Sequence, residues 1–174
     1  MHIILIGFKH VGKTHIGKKL AKALHMPFID LDKEIATYYH AQTGRAFTPR
    51  QIVAHHGEKY FRQLETKVLQ MVILQKASIL SLGGGTPIAK ANQKLIKGHK
   101  IFHIDAPRGI IFERIMLGGR PAFFDEKLGA YASFIKLYTT RSKVYTKLTS
   151  SLIHNTGTID EAVKDIIKSL NMQF

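Results

Sequence analysis

An apolar run that breaks into glycine constrains this chain more than any other feature. Ile3-Ile4-Leu5-Ile6 is followed by Gly7-Phe8-Lys9-His10-Val11-Gly12-Lys13-Thr14, which fits G-x-x-x-x-G-K-[ST]. A helical pattern opens directly behind it, around Ile16, Leu20 and Leu24. Strand, glycine loop and helix in that order make a cradle for a phosphate anion. Gly7 and Gly12 allow the dihedral angles that turn successive backbone N–H groups toward one point. The helix N-terminus adds the positive end of its dipole. Lys13 can reach terminal phosphates as a point charge, and the Thr14 hydroxyl can ligate magnesium.

The rest of the chain alternates short apolar runs with longer helical patterns. Strands are expected at Ile3–Ile6, Pro27–Asp30, Ser78–Leu82, Lys100–Ile104 and Ser151–His154. Helices are expected at Lys13–Leu24, Leu31–Tyr39, Pro49–His56, Glu58–Gln75, Ala89–Ile96, Pro107–Leu117, Gly129–Leu148 and Ile159–Leu170. Thr48-Pro49-Arg50-Gln51 is a capping box with proline at the first helical position. The implied fold is α/β, a three-layer arrangement with a five-stranded parallel sheet covered by helices on both faces. With 174 residues and no separating linker, a single domain over 1–174 is expected. Gly118-Gly119-Arg120-Pro121 interrupts the periodicity, and the segment to about Leu128, with two phenylalanines that read as exposed, is expected to be a mobile lid.

Composition narrows the function classes. There is no cysteine, so disulfides and thiol chemistry are excluded. The N-terminal apolar run is too short for a signal peptide, and no stretch approaches the ~18 apolar residues of a membrane span, so a cytoplasmic location without membrane contact is expected. A net charge of +14 suits anionic substrates. The basic residues are scattered, without a like-charge block or aromatic interleaving, so no nucleic-acid partner is expected. The ten histidines are scattered too, and nothing resembles a zinc site.

Four further groups carry chemistry. Asp30 and Asp32 end the second strand at the carboxyl edge of the sheet, and on an extended segment they would face one side. One could hold magnesium and the other accept a proton from a hydroxyl; alternatively, Asp32 caps a helix and Asp30 is solvated. Arg62 and Glu65 share a helix face, giving either a preorganised guanidinium fork for a carboxylate or a surface ion pair. Gly83-Gly84-Gly85 at a strand end lets a ligand approach the backbone. Arg120, with Arg114 before it and Arg141 after it, could neutralise charge on a transferring phosphoryl group when the lid closes. Asp105, at the end of Ile101-Phe102-His103-Ile104-Asp105, is a rival carboxylate, less well placed than Asp30 and Asp32.

The ordered set GFKHVGKT, Asp30-x-Asp32, GEKYFRQLE, Gly83-Gly84-Gly85, Gly119-Arg120-Pro121 and Arg141 with Tyr145 resembles the shikimate kinases, from the first strand to about residue 148. The resemblance implies ATP-dependent phosphorylation of the 3-hydroxyl of shikimate, with Mg2+, by a monomer. It implies that Asp32 contacts the acceptor hydroxyls and serves as base, and that Asp30 holds magnesium with Thr14. Arg62 and Arg141 would bind the shikimate carboxylate, Gly84 would touch the ring hydroxyls, and Gly83 and Gly85 would complete the substrate-binding set. Lys13 and Arg120 would act on the phosphates, Arg114 would pack on adenine, and Gly7, Gly12 and His15 would complete the nucleotide-binding set. The chain departs from the family pattern at Lys9-His10-Val11, at R-P-A-F in the lid, at Lys147-Leu148-Thr149, and in having no arginine near Asn155-Thr156. A gluconate kinase or another small-metabolite kinase is the alternative within enzymes. A nucleotide-binding regulator without turnover is the alternative outside them.

Overall fold

A computed structural model gives the architecture and describes residues 1–118, 124 and 127–171. Five parallel strands, β1 (Ile3–Ile6), β2 (Phe28–Asp30), β3 (Ile79–Ser81), β4 (Lys100–Asp105) and β5 (Ser151–His154), lie in the order β2-β3-β1-β4-β5. β1 is central: Ile4 pairs with Leu80 of β3 and with Ile101 of β4. It is buried along its whole length, which is why it reads as an unbroken apolar run.

Among the described residues, seven α-helices connect and cover the strands: α1 (Lys13–Ala23), α2 (Leu31–Thr43), α3 (Pro49–Ile73), α4 (Lys90–Ile96), α5 (Arg108–Leu117), α6 (Ala130–Leu148) and α7 (Ile159–Asn171). The two-residue period of β1 divides the core. Ile3 and Leu5 pack with Ile16, Leu20, Ile111 and Ile166 of α1, α5 and α7. Ile4 and Ile6 pack with Ile35, Leu64, Val68 and Tyr145 of α2, α3 and α6. The three-layer expectation is thus met by alternating side chains of one strand. All five strands point their carboxyl ends to one edge, where an α/β sheet binds ligands. Among the described residues, no helix is long and apolar enough to cross a membrane.

Most expected boundaries hold within a residue or two. α2 continues past Tyr39 to Thr43 and stops at Gly44, whose φ of 72° suits glycine and whose N–H bonds to His40 O at 2.7 Å. The capping box forms: Thr48 Oγ1 accepts from Gln51 N–H at 3.4 Å, and Gln51 Oε1 accepts from Thr48 N–H at 2.9 Å. The helices expected on either side of Gly57 meet at a kink there, where the backbone is non-helical, and together make up α3. Phe124, read from the sequence as exposed, is 5% exposed and joins the core, with its ring stacked 6.5 Å from Phe112. Arg120 and most of the expected lid lie outside the described residues.

The bend at Gly57 sets the direction in which the following turns present Arg62. Its φ of 83° and ψ of 166° belong to a region that is nearly glycine-only, and nothing lies within 4 Å of where a Cβ would stand. Gly57→Ala therefore isolates backbone strain from steric clash. It should lower the unfolding free energy in urea by about 1–3 kcal/mol. An unchanged midpoint would show that the bend relaxes at no cost.

Candidate active site

The loop between β1 and α1 is held by its apolar members and shaped by its glycines. Phe8 and Val11 are buried in the core, while Lys9 and His10 face outward. Gly7, His10 and Gly12 all have positive φ, at 145°, 64° and 99°. A Cβ on Gly7 would strike the carbonyl oxygen of Ile104. Lys13 folds back across the loop and donates from Nζ to Gly7 O at 2.9 Å and Phe8 O at 2.8 Å. Burial brings its pKa down to about 8; the Asp32 and Asp30 carboxylates oppose this, and the Arg141 charge adds to it.

Asp30 and Asp32 converge on the loop, though not as two residues of one extended segment. β2 ends at Asp30 and α2 begins at Leu31, because Asp30 is the N-cap. Its Oδ1 accepts from Asp32 N–H at 3.2 Å, and its Oδ2 accepts from the Thr14 hydroxyl at 3.0 Å. Asp32 therefore projects from the first turn of α2, and the expected strand alternation and the expected cap at Asp32 are both corrected by this turn. Asp32 is an exposed residue, yet its carboxylate lies close against Gly83. Desolvation there raises its pKa, the Asp30 charge raises it further, and Lys13 acts in the opposite sense.

The triple glycine follows β3 and touches each of the other groups. A Cβ on Gly83 would lie 2.9 Å from Asp32 Oδ1. One on Gly84 would lie 3.3 Å from Lys9 N and 3.4 Å from Gly7 O. One on Gly85 would lie 2.6 Å from Arg62 Nη2. The bare backbone thus brings the carboxylate, the phosphate loop and the guanidinium around one cleft. Tyr145 of α6, fully buried, donates its hydroxyl to Gly84 O.

Arg62 is fixed from two sides. Its Nη1 donates to both Glu65 oxygens, at 3.1 and 2.9 Å, and its Nη2 donates to Glu58 Oε1 at 3.2 Å. Burial alone would lower its pKa, but the Glu65 and Glu58 carboxylates outweigh it and hold the guanidinium above its ordinary value. Glu65 is 1% exposed and also accepts from the Thr86 hydroxyl at 2.7 Å. This is not a surface ion pair: both carboxylate oxygens are committed inside the protein. Arg141 lies with its guanidinium 5.3 Å from the centre of the Phe8 ring.

Other expected residues stand apart from this cluster. His15 is exposed on α1, and Arg114 is exposed in the last turn of α5. Asp105 turns its Oδ2 to the Tyr138 hydroxyl at 2.8 Å, so one of its oxygens ties β4 to α6. Thr86 and Asn155 were not singled out from the sequence; they are buried polar residues joined to the site by hydrogen bonds. Only a polar residue flanking the triple glycine hinted at Thr86.

Comparison with known proteins points to one family. The family model for shikimate kinase matches residues 9–171. The shikimate kinase of Oceanobacillus iheyensis is 31% identical over 173 residues, covering 98% of this chain and 90% of that one. A bifunctional shikimate kinase/3-dehydroquinate synthase of Thermotoga maritima is 30% identical over 151 residues; the match covers 81% of this chain and 30% of that longer protein. The crystallised shikimate kinase of Acinetobacter baumannii, in complex with shikimate, superposes with a TM-score of 0.82 at 27% identity, covering 99% of this chain and 93% of that one. A gluconokinase from Sinorhizobium meliloti gives a TM-score of 0.61 at 15% identity, covering 99% of this chain and 92% of that one, a likeness of fold alone.

The Lys13 environment predicts a pH dependence. A depressed pKa leaves the amine charged below about 8 and neutral above it in the empty cleft. Phosphate needs the charged form, so ADP affinity should hold below that value. It should weaken as pH rises through it, by up to about tenfold per unit. Lys13→Arg, which stays charged, should flatten this alkaline limb in calorimetric titrations. An equally steep limb in the arginine variant would assign the titration to another group.

Proposed function

The chain belongs to the shikimate kinase family, and on that premise we propose how its own residues divide the ATP-dependent phosphorylation of shikimate. The reaction moves the γ-phosphoryl group of ATP to the 3-hydroxyl, giving shikimate 3-phosphate and ADP on the route to chorismate and the aromatic amino acids. The acceptor oxygen forms the new P–O bond, the bond to the ADP oxygen breaks, and the hydroxyl proton passes to Asp32. One observation carries the assignment: Gly83, Gly84 and Gly85 bring the Asp32 carboxylate, the phosphate loop and the Arg62 guanidinium together without intervening side chains.

Each role follows from local chemistry. Asp32 must be ionised to accept a proton, and a pKa raised toward neutrality makes it a stronger base than an ordinary aspartate. Arg62, held by Glu65 and Glu58, keeps its remaining donor capacity for the shikimate carboxylate, and Arg141 supplies the second cation. The glycine N–H groups, with no side chains above them, face the ring hydroxyls. Lys13 exchanges the Gly7 and Phe8 carbonyls for phosphate oxygens, and Gly7, Gly12 and His15 complete the phosphate side. Arg114 packs on adenine and Arg120 completes the charge shell.

Mg2+ is proposed at Thr14 and Asp30. The donors fit, being a hydroxyl and a carboxylate 3.0 Å apart at the mouth of the loop, both hard oxygens. Bound there with the nucleotide, the ion would neutralise charge on the phosphate oxygens. The chain is proposed to act in the cytoplasm as a single-domain monomer, its basic surface serving small anions rather than nucleic acid.

ADP release followed by a coupled assay tests the substrate. Shikimate should stimulate turnover strongly and gluconate should not; the reverse would move the chain to another acceptor. Asp32→Asn keeps the shape but removes the proton acceptor, so kcat should fall about 10²–10⁴-fold. The acid limb of the wild-type pH profile should lie above the ordinary aspartate value of about 3.9, since activity is lost as pH falls through a raised pKa. Arg62→Lys keeps charge but loses the fork: the shikimate KM should rise while the ATP KM stays put. A parallel rise in both would make Arg62 a structural residue.

A further inference from the structure

The connection from β5 to α7 carries a buried asparagine that the scheme above leaves unused. Asn155 is 7% exposed. Its backbone N–H donates to Asp105 O at 2.7 Å, which fixes it at the end of the β4–β5 ladder. Its Nδ2 donates to Val11 O at 2.8 Å, across most of the sequence length. Gly12 stands so close that a Cβ there would come within 2.5 Å of the same nitrogen. The amide therefore supports the Val11–Gly12 peptide from one side. Its partner is a carbonyl oxygen, so the amide nitrogen, and not the amide oxygen, faces it.

The peptide plane converts this support into a direction. No peptide bond in the described chain is cis. In a trans peptide the C=O and the N–H of the next residue point opposite ways. Pinning the Val11 carbonyl against Asn155 therefore turns the Gly12 N–H away from Asn155. We infer that Asn155 is a positioning residue that aims the Gly12 N–H at the nucleotide phosphates and links the β5–α7 connection to the phosphate loop. The inference rests on the loop binding ATP and is independent of which acceptor is phosphorylated.

Asn155→Asp provides the test, since it changes the shape least and the hydrogen bonding most. An ionised carboxylate sets an oxygen against the Val11 carbonyl and reverses the support. A protonated carboxyl regains an O–H donor at the same place. ADP binding by calorimetry, without any acceptor, is measured for the full-length variant and wild type at pH 5 and pH 8. The titratable neighbours His10, Lys13, Asp105 and His154 are common to both proteins and cancel in the ratio of dissociation constants. That ratio should be about ten at pH 8, one hydrogen bond lost and one repulsion gained, and should be clearly smaller at pH 5, because burial against a carbonyl oxygen raises the new carboxyl above the ordinary aspartate range. Asn155→Ala should weaken ADP several-fold by the same ratio at both pH values, with the shikimate KM at saturating ATP unchanged. A ratio of one at pH 8 overturns the inference. So does a pH-independent loss in Asn155→Asp accompanied by a rise in the shikimate KM, which would mean that Asn155 supports the fold as a whole. If the aspartate variant does not fold at pH 8, wild-type ADP affinity in Asn155→Ala overturns it alone.

Discussion

A phosphate cradle must keep backbone N–H groups without internal partners, and the rest of this molecule is arranged to hold such a loop open. Donors held back for a ligand cost free energy, and so does the positive φ at His10, which unlike Gly7 and Gly12 carries a Cβ. The compensation is external. Phe8 and Val11 sink into the core, the Ile104 carbonyl closes on Gly7, and Asn155 takes the Val11 carbonyl. Lys13 occupies the Gly7 and Phe8 carbonyls. The loop is shaped by residues from β4, the β5–α7 connection and α1, so its geometry belongs to the sheet edge and not to the glycine motif alone.

The same edge solves an electrostatic problem. Lys13 and Asp32 share a confined volume beside Asp30, and desolvation penalises the charged forms of Lys13 and Asp32. Mutual attraction offsets part of that penalty. The outcome is an amine brought down to about 8 and a carboxyl raised above its ordinary value, which narrows the gap between base and acid. Groups poised in this way exchange partners readily when a more highly charged ligand arrives.

The fold was legible from the sequence because its signals are local and mutually consistent. β1 is apolar throughout because both faces are covered, and the capping box at Thr48 marks the start of α3. The site was legible where a residue type announces its chemistry, as with Lys13, Arg62 and the triple glycine. What remained hidden is contact across long separations. Asn155 to Val11 and Glu65 to Thr86 are hydrogen bonds that no periodicity encodes. The Asp30–Asp32 geometry was misread because a strand and a helix cap look alike when the strand ends at the aspartate itself. Phe124 was misread because a large apolar residue in a glycine- and charge-rich segment carries no pattern of its own, yet a neighbouring ring buries it.

The buried Glu65 explains why an arginine fork can be rigid without being saturated. Desolvating a carboxylate is expensive unless its oxygens are occupied. Here Arg62 and the Thr86 hydroxyl fill Oε1, and Arg62 alone fills Oε2. The arginine is thereby fixed in place, and the guanidinium edge left over is aimed by a group that cannot move. Gly85 must then lack a side chain, since the space a Cβ would need is the space the guanidinium occupies. The sequence G-G-G and the pair Arg62–Glu65 are thus one constraint seen from two elements: a fixed cation for a carboxylate requires both the buried acid behind it and the bare backbone beside it.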